Sequence, residues 1–236
     1  MAPMRLRLPS RAASGWAVLG LWVALWPGGG PERAPQAQTQ APADLQRSLQ
    51  KRYAGIQDFR ADFTQTAKGG VLRTVVNEQR GEVTVKKPGR MRWMYGPPDR
   101  HIFVADGTRI YFYNPADRTG HTSPIPTGDN LSAPALFLTG RGDLERDFTA
   151  TMPTTQPAGE WHLMLTPRRA QDDFKTLTVI VDRTSLAYKG FAWTDHQGAA
   201  HTIRFFNLRE NVGLADKEFT YAFPRGTHIT TSGGGL

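Results

Sequence analysis

The densest group of reactive side chains in this 236-residue sequence is Asp195-His196-Gln197-Gly198-Ala199-Ala200-His201. Two imidazoles and a carboxylate within one turn are the residue types of a metal site or of an acid/base pair. The same residues also suit a polar hairpin between two strands, and the flanking alternation favours that interpretation. We therefore expect no catalytic residue and no metal ligand here, and keep a hydrolase that uses the 195–201 segment as an alternative.

The remaining sequence offers little else that could carry out catalysis. The other histidines are scattered singly, and the chain contains no cysteine, no G-x-S-x-G and no H-E-x-x-H. Its glycine runs at 28–30 and 233–235 do not lie between a strand and a helix, where a phosphate would bind. These residues therefore give no support to the familiar hydrolase mechanisms and indicate no cofactor.

The stretch VKKPGRMRWMY at 85–95 combines four cations with large apolar side chains. Cations interleaved with aromatic rings can bind single-stranded nucleic acid. Here, however, the apolar Met91, Trp93 and Tyr95 alternate with Arg90 and Arg92, which is typical of a strand with one apolar and one solvated face. We expect a β turn that leads into such a strand, and no nucleic-acid partner.

The first 43 residues resemble an export signal. A cationic start is followed by an apolar run at 15–26, which is shorter than the ~20 residues of a typical membrane span. We predict a signal peptide and a Pro/Gln/Ala-rich linker within residues 1–43, cleaved somewhere in 30–43; an uncleaved anchor helix is the alternative. Removing this part lowers the net charge from +8 to about +5, which is compatible with anionic membranes or acidic partners.

The absence of cysteine narrows the class of exported protein. Without disulfides the chain must be stabilised by its own core. Without an N-terminal cysteine it cannot be a lipid-anchored bacterial lipoprotein. We therefore expect an exported, soluble protein.

Beyond the leader, the hydrophobic pattern predicts one mainly β domain over residues 44–230, followed by a Gly-rich tail at 231–236. An amphipathic helix is expected at 43–57, where apolar residues recur at helical spacing. Period-two patterns predict about ten antiparallel strands, the last at 219–223. A second short apolar helix is expected at 129–140, either as a movable lid or as an ordinary packing helix.

Aromatic and methionine side chains are unusually abundant on the predicted strand faces. They either fill a closed core or line a cavity for an apolar ligand. Periodicity does not separate these alternatives.

The order of motifs resembles the periplasmic outer-membrane lipoprotein carrier family (LolA). The resemblance covers residues 43–230 and rests on FRADFTQ, GEVTVKKPGRMRWMY, VADGTRIYFYNP, LFLTGRGDL and FTYAFPRGTHI, in the family's order. It implies an incomplete, unclosed antiparallel β-barrel of about ten to eleven strands, covered by short α-helices that act as a lid.

The same resemblance implies a periplasmic chaperone and not an enzyme. Such a carrier takes lipoproteins by their acyl chains from an inner-membrane ABC transporter to an outer-membrane receptor of the LolB type; we expect a monomer. A lipid- or lipoprotein-sensing module of the same fold is the other alternative. The acyl-chain cavity is expected to be lined by Phe63, Met91, Trp93, Ile102, Val104, Phe112 and Phe205, with Leu136 and Phe137 from the lid.

Two positions depart from the family pattern. Lys87 stands where the family often has an arginine that reaches lid-helix carbonyls and holds the empty cavity shut. Lysine keeps the charge but loses the planar fork of donors, so we expect Lys87 to be a weaker latch, or Arg90 or Arg92 to replace it. Met91 replaces a family aromatic residue with a flexible apolar side chain.

Overall fold

The computed structural model describes residues 41–69, 77–125, 142–170 and 174–232. The predicted leader up to residue 40, the predicted helix at 129–140 with Leu136 and Phe137, and the last four residues of the tail lie outside the described residues. No helix in the described ranges is long and apolar enough to cross a membrane.

The first element is the helix α1 (Pro42–Ala54). Proline near its start, Asp44 in its first turn and two cations in its last turn match the preferences and the dipole of a helix. Leu45, Leu49 and Tyr53 recur at helical spacing and are buried. This confirms the predicted amphipathic helix, which ends three residues earlier than expected.

A single twelve-stranded sheet follows, with a second short helix, α2 (Leu144–Asp147), between its sixth and seventh strands. The strands are β1 (Asp58–Gly69), β2 (Asn77–Lys86), β3 (Arg90–Tyr95), β4 (Ile102–Asp106), β5 (Arg109–Asn114), β6 (Thr119–Pro124), β7 (Phe148–Thr151), β8 (Glu160–Pro167), β9 (Thr176–Asp182), β10 (Tyr188–Thr194), β11 (Ala199–Glu210) and β12 (His228–Thr231). The spatial order is β12-β6-β5-β4-β3-β2-β1-β11-β10-β9-β8-β7, so the sheet is not closed. All pairs are antiparallel except β12 with β6. The predicted unclosed β architecture is confirmed.

One face of this sheet, here called the inner face, packs against α1. Nearly every strand contributes side chains to one apolar cluster there, together with Leu45, Leu49 and Tyr53 of the helix. Because α1 and strands from both halves of the sheet contribute to this cluster, the core lies on the inner side of the sheet.

The opposite, outer face carries a second apolar layer. A 3-10 helix (Asp216–Phe219) and the extended residues after it lie against β3–β6. Phe219 is fully buried, and Phe223 contacts the rings of Tyr111 and Tyr113. The strand predicted at 219–223 is therefore wrong. The aromatic residues at 219, 221 and 223 lie on one side of this segment, as the period of two predicts. They pack on the sheet, but among the described residues the segment forms no backbone pairing with a strand.

An ion-pair network braces the outer face between β8 and β11. Glu160 of β8 accepts hydrogen bonds from Arg204 of β11 and lies 3.9 Å from the Lys189 ammonium of β10. The Glu160 side chain is only 14% exposed. Arg204, followed by the hydrogen bond from His162, holds the pKa of Glu160 down at about 2, against the effect of burial.

We expect Glu160→Gln to lower the free energy of unfolding by ~1–2 kcal/mol at pH 7. The pKa of this carboxyl is lower in the folded than in the unfolded state. Its contribution is therefore complete above its ordinary pKa of 4.5 and disappears as the pH falls towards 2. Urea titrations at several pH values measure this, with the more exposed Glu82→Gln on the same face as control. Equal stabilities at pH 7 would contradict the prediction.

Candidate functional site

The centre of the inner face is a closed aromatic core. The Phe63 and Trp93 rings meet at 4.8 Å, and Trp93 lies 6.4 Å from Phe205. These three residues and Met91 are at most 6% exposed. Four of the residues predicted to line an acyl cavity are thus brought together, but here they pack against one another. Ligand binding at this centre would require these rings to move.

The apolar surface continues outward along β3–β5 with rising exposure. Tyr95 contacts Phe63 at 5.1 Å and His101 at 6.2 Å, and His101 contacts Phe112 at 5.4 Å. Phe103 is partly buried against the core, and Phe112 is 37% exposed. We call Tyr95, His101, Phe103 and Phe112 the aromatic strip. It is an accessible apolar surface that joins the core.

The prediction that Ile102 and Val104 share this face is wrong. The register places Ile102 opposite Met94 and Val104 opposite Arg92. Side chains directly opposite each other lie on the same face of a sheet, so both residues lie on the outer face, under the C-terminal segment.

The inner positions of β4 are instead Phe103 and Ala105, which pair with Trp93 and Met91. Sequence reasoning missed them because β4 is apolar on both faces, so its alternation does not distinguish inside from outside. Phe112 pairs with Phe103 and does lie on the inner face.

Lys87, the predicted latch, reaches the end of α1. Its ammonium donates to the carbonyl oxygen of Tyr53 and lies 3.4 Å from the centre of the Tyr53 ring. Burial lowers the pKa of Lys87 to about 8. The contact joins the β2–β3 turn to the helix that covers the core, whereas any contact with residues 129–140 falls outside the described residues. The role as a latch stays a prediction.

The two arginines considered as substitutes face the outer side. Arg90 lies 3.6 Å from Asp216, and Arg92 donates to the carbonyl oxygen of Glu218. Both therefore hold the 3-10 helix and not α1.

A second attachment of α1 was not visible in the sequence. Arg52 donates through Nε to the carbonyl oxygen of Ser185 at 2.8 Å, and its guanidinium forms a two-pronged ion pair with Glu210 at 2.7 and 3.0 Å. These partners lie more than 130 positions away in sequence. Tyr53 and Arg52 are neighbours, so the last turn of α1 is held on both sides.

The 195–201 segment forms the predicted polar hairpin between β10 and β11. His201 bonds Asp195 at 3.0 Å, and its ring stacks on Trp193 at 5.0 Å. The described residues contain no cluster of three or more metal-ligating side chains. The interactions found here, the bond to Asp195 and the stacking on Trp193, stabilise the turn.

Known proteins resemble this chain over most of its length. The family model described as outer membrane lipoprotein carrier protein LolA matches residues 54–222. An outer-membrane lipoprotein carrier protein of Methylococcus capsulatus is 30% identical over 200 residues, covering 84% of this chain and 88% of the relative. One from Cupriavidus necator is 29% identical over 194 residues, covering 80% and 90%.

A solved structure extends the comparison to the fold. An uncharacterized conserved protein from Thermus thermophilus superposes with a TM-score of 0.50 at 10% identity, covering 80% of this chain and 99% of that one. This similarity concerns the fold alone.

Proposed function

The chain belongs to the family of outer membrane lipoprotein carrier proteins (LolA), and on that premise we propose that it binds lipoproteins by their acyl chains in the periplasm. It receives them from an inner-membrane ABC transporter and delivers them to an outer-membrane receptor of the LolB type. The family consists of carriers and not of enzymes.

The observation that carries the proposal is the continuity of the aromatic strip with the core. Acyl chains need an apolar surface, and their burial is favourable by about 0.8 kcal/mol per methylene. The strip offers such a surface at Phe103 and Phe112, next to the apolar core of the inner face.

Because the burial of acyl chains is so favourable, release of the cargo cannot depend on weak binding. Closing of the empty core competes with the cargo, and contacts at Lys87 and Arg52 favour the closed arrangement of α1. A receptor surface with higher affinity would then complete the transfer. The chain's own residues need no nucleotide or metal for this step, because the transporter upstream supplies any energy.

The test uses two residues of equal exposure on opposite faces. Phe112 and Met94 are each 37% exposed, Phe112 on the inner and Met94 on the outer face. We expect Phe112→Asp to weaken binding of a fluorescent acyl probe about tenfold, because a carboxylate in an apolar site must be desolvated. Met94→Asp should leave the affinity unchanged.

The same pair is then compared for keeping a triacylated lipoprotein soluble without detergent, measured by co-elution in gel filtration. Equal retention by both variants would remove the aromatic strip from the binding surface. Failure of the wild-type protein to retain any lipoprotein would overturn the proposed function itself.

A further inference from the structure

β11 contains a β-bulge near its end. Two of its residues, Asn207 and Leu208, lie opposite the single residue Ala61 of β1, where the register of the two strands shifts. Asn207 has a φ of 51°, in the left-handed region, and its side-chain amide donates to the Asp62 carboxylate at 2.7 Å. The bulge is thus held by a specific contact, and it shifts the alternation of the strand by one residue.

The bulge places on one face two side chains that a regular strand would separate. Phe206 pairs with Asp62, and Arg209 pairs with Arg60. Residues 60 and 62 of β1 share the outer face, because side chains alternate with a period of two, and directly opposite residues lie on the same face. Phe206 and Arg209 therefore both lie on the outer face, although they are three positions apart. Phe206 is 49% exposed, and Arg209 is exposed as well.

The pairing of Arg60 with Arg209 places two cations directly opposite each other. Like charges at such positions are destabilising. Glu218 pairs with Arg60 at 2.6 Å and Glu82 lies 4.0 Å from it, so the charge of Arg60 is compensated. The Arg209 side chain has no hydrogen-bond or ion-pair partner within the described ranges. Its guanidinium donors are therefore open to a ligand.

A pocket of about 260 Å³ lies beside these two arginines, next to the segment that follows β11. Its wall consists of Arg60, Arg209, Val212, Gly213, Leu214 and Glu218. Val212 is 46% exposed and contributes an accessible apolar side chain. Because Glu218 is paired with Arg60, the uncompensated charge in the wall is the single positive charge of Arg209.

The charges around the pocket limit the kind of anion that fits it. Asp62 and Glu82 lie opposite each other on the same outer face. These carboxylates repel a multiply charged phosphate group or a continuous anionic membrane surface more strongly than a single carboxylate. One carboxylate matches the planar fork of one arginine. Arginine beside exposed apolar and aromatic side chains is also the composition that carries most of the energy at protein–protein interfaces.

We propose that Phe206, Arg209 and Val212, here called the bulge surface, dock a partner protein through one Asp or Glu carboxylate and a neighbouring apolar side chain. The carboxylate accepts hydrogen bonds from the Arg209 guanidinium, and the apolar side chain packs on Phe206 and Val212. The bulge surface and the aromatic strip lie on opposite faces of the sheet, so a docked partner leaves the proposed acyl-binding surface uncovered. The inference goes beyond the proposed function and does not depend on it.

The experiment uses two blocked peptides as probes, acetyl-Gly-Leu-Asp-Leu-Gly-amide and the same peptide with asparagine in place of aspartate. An NMR titration of the full-length protein follows the side-chain Nε–H of Arg209 and the backbone N–H of Val212. We expect the aspartate peptide to bind about tenfold more tightly, the gain of a charge-assisted pair over a neutral one. Arg209→Gln should bind both peptides equally.

Arg80→Gln is the matched control. Arg80 is an exposed arginine on the same face whose guanidinium already bonds Glu78, so its loss should keep the tenfold preference. Phe206→Ser should weaken the binding of both peptides about threefold, because apolar contact is lost. Met94→Ser, at an exposed apolar side chain elsewhere on the outer face, should not. All four substitutions are at exposed positions, so the melting temperatures should equal that of the wild type.

Equal binding of both peptides by the wild type, or a preference that survives in Arg209→Gln, would overturn this inference. Binding to phosphatidylglycerol vesicles that needs Arg209, in a protein that binds neither peptide, would overturn it in favour of a membrane surface. A dimer in sedimentation that needs Arg209 would overturn it in favour of a second copy of this chain. Arg209→Gln should bind the acyl probe as the wild type does, so none of these results decides the proposed function.

Discussion

Asp58→Ala is expected to lower the free energy of unfolding by about 3–4 kcal/mol. The Asp58 side chain is 5% exposed at the start of β1. Its Oδ1 accepts from the backbone N–H groups of Val212 and Gly213 at 2.7 and 3.2 Å, and its Oδ2 from Gly213 and Leu214 at 3.1 and 3.0 Å. Without the carboxylate three backbone donors lose this partner, and Leu214 is buried.

The contacts around Asp58 also explain why its loss should affect the candidate functional site. Asn211 joins it from the end of β11: its side chain accepts from the N–H of Gln57 and donates to the carbonyl oxygen of Gly55. Gln57 in turn accepts from the N–H of Lys87. Asp58 therefore fixes the end of α1 and the turn that carries Lys87 against the C-terminal segment.

Urea unfolding followed by tryptophan fluorescence gives the free energy, and hydrogen exchange should show faster exchange at Val212, Gly213 and Leu214. Asp62→Ala is the control. It lies on the same strand, is exposed, and bonds Asn207, so its loss should cost no more than ~0.5 kcal/mol. An Asp58→Ala protein within 1 kcal/mol of the wild type would contradict the importance of this junction.

The sequence was sufficient to predict elements with a clear period. In β3, three apolar residues alternate with polar or exposed ones, and the structure places Met91 and Trp93 in the core. The pattern was not sufficient where both faces are covered. Ile102 and Val104 of β4 lie under the C-terminal segment, and no local pattern indicates that a segment more than a hundred residues later covers them.

The candidate site shows the same limit. Side-chain type and resemblance were enough to select Phe63, Trp93 and Phe205, which the structure brings together. The point at which β10 stops pairing with β11, at Gly190 and Arg204, was not predictable. Pairing ends depend on long-range register, which sequence patterns leave undetermined.

Lys87 connects stability, pH and cargo binding. Its pKa in the folded protein is about 8, against an ordinary 10.5, so the closed arrangement binds fewer protons than an arrangement in which Lys87 is solvated. Between pH 8 and 10.5, rising pH therefore favours the closed and folded state, while below pH 8 the desolvation cost of the ammonium offsets part of its favourable contact with Tyr53. The neutral amine still has N–H groups to donate to the carbonyl oxygen of Tyr53.

We expect the wild type to gain about 1–2 kcal/mol in free energy of unfolding between pH 7 and pH 10, relative to Lys87→Met, which does not titrate. The ammonium is only partly buried, so the gain is smaller than the full pKa difference implies. Urea titrations of both proteins at each pH give the difference in free energy of unfolding between them. The contributions of the other titrating groups are the same in both proteins and cancel in this difference. Lys86→Met, at a neighbouring lysine that bonds Asp216, should retain the pH-dependent gain.

Protonation of Lys87 also controls the binding of cargo if the cargo enters by displacing α1. Raising the pH from 7 to 9.5 should weaken binding of the acyl probe about fivefold in the wild type, since the closed state gains ~1 kcal/mol. Lys87→Met should show the same affinity at both values. If both proteins respond alike, the Lys87 contact does not hold the core shut. If the affinity changes with pH only in the wild type, the Lys87 contact does restrain α1. It is then also weak enough for cargo to displace the helix.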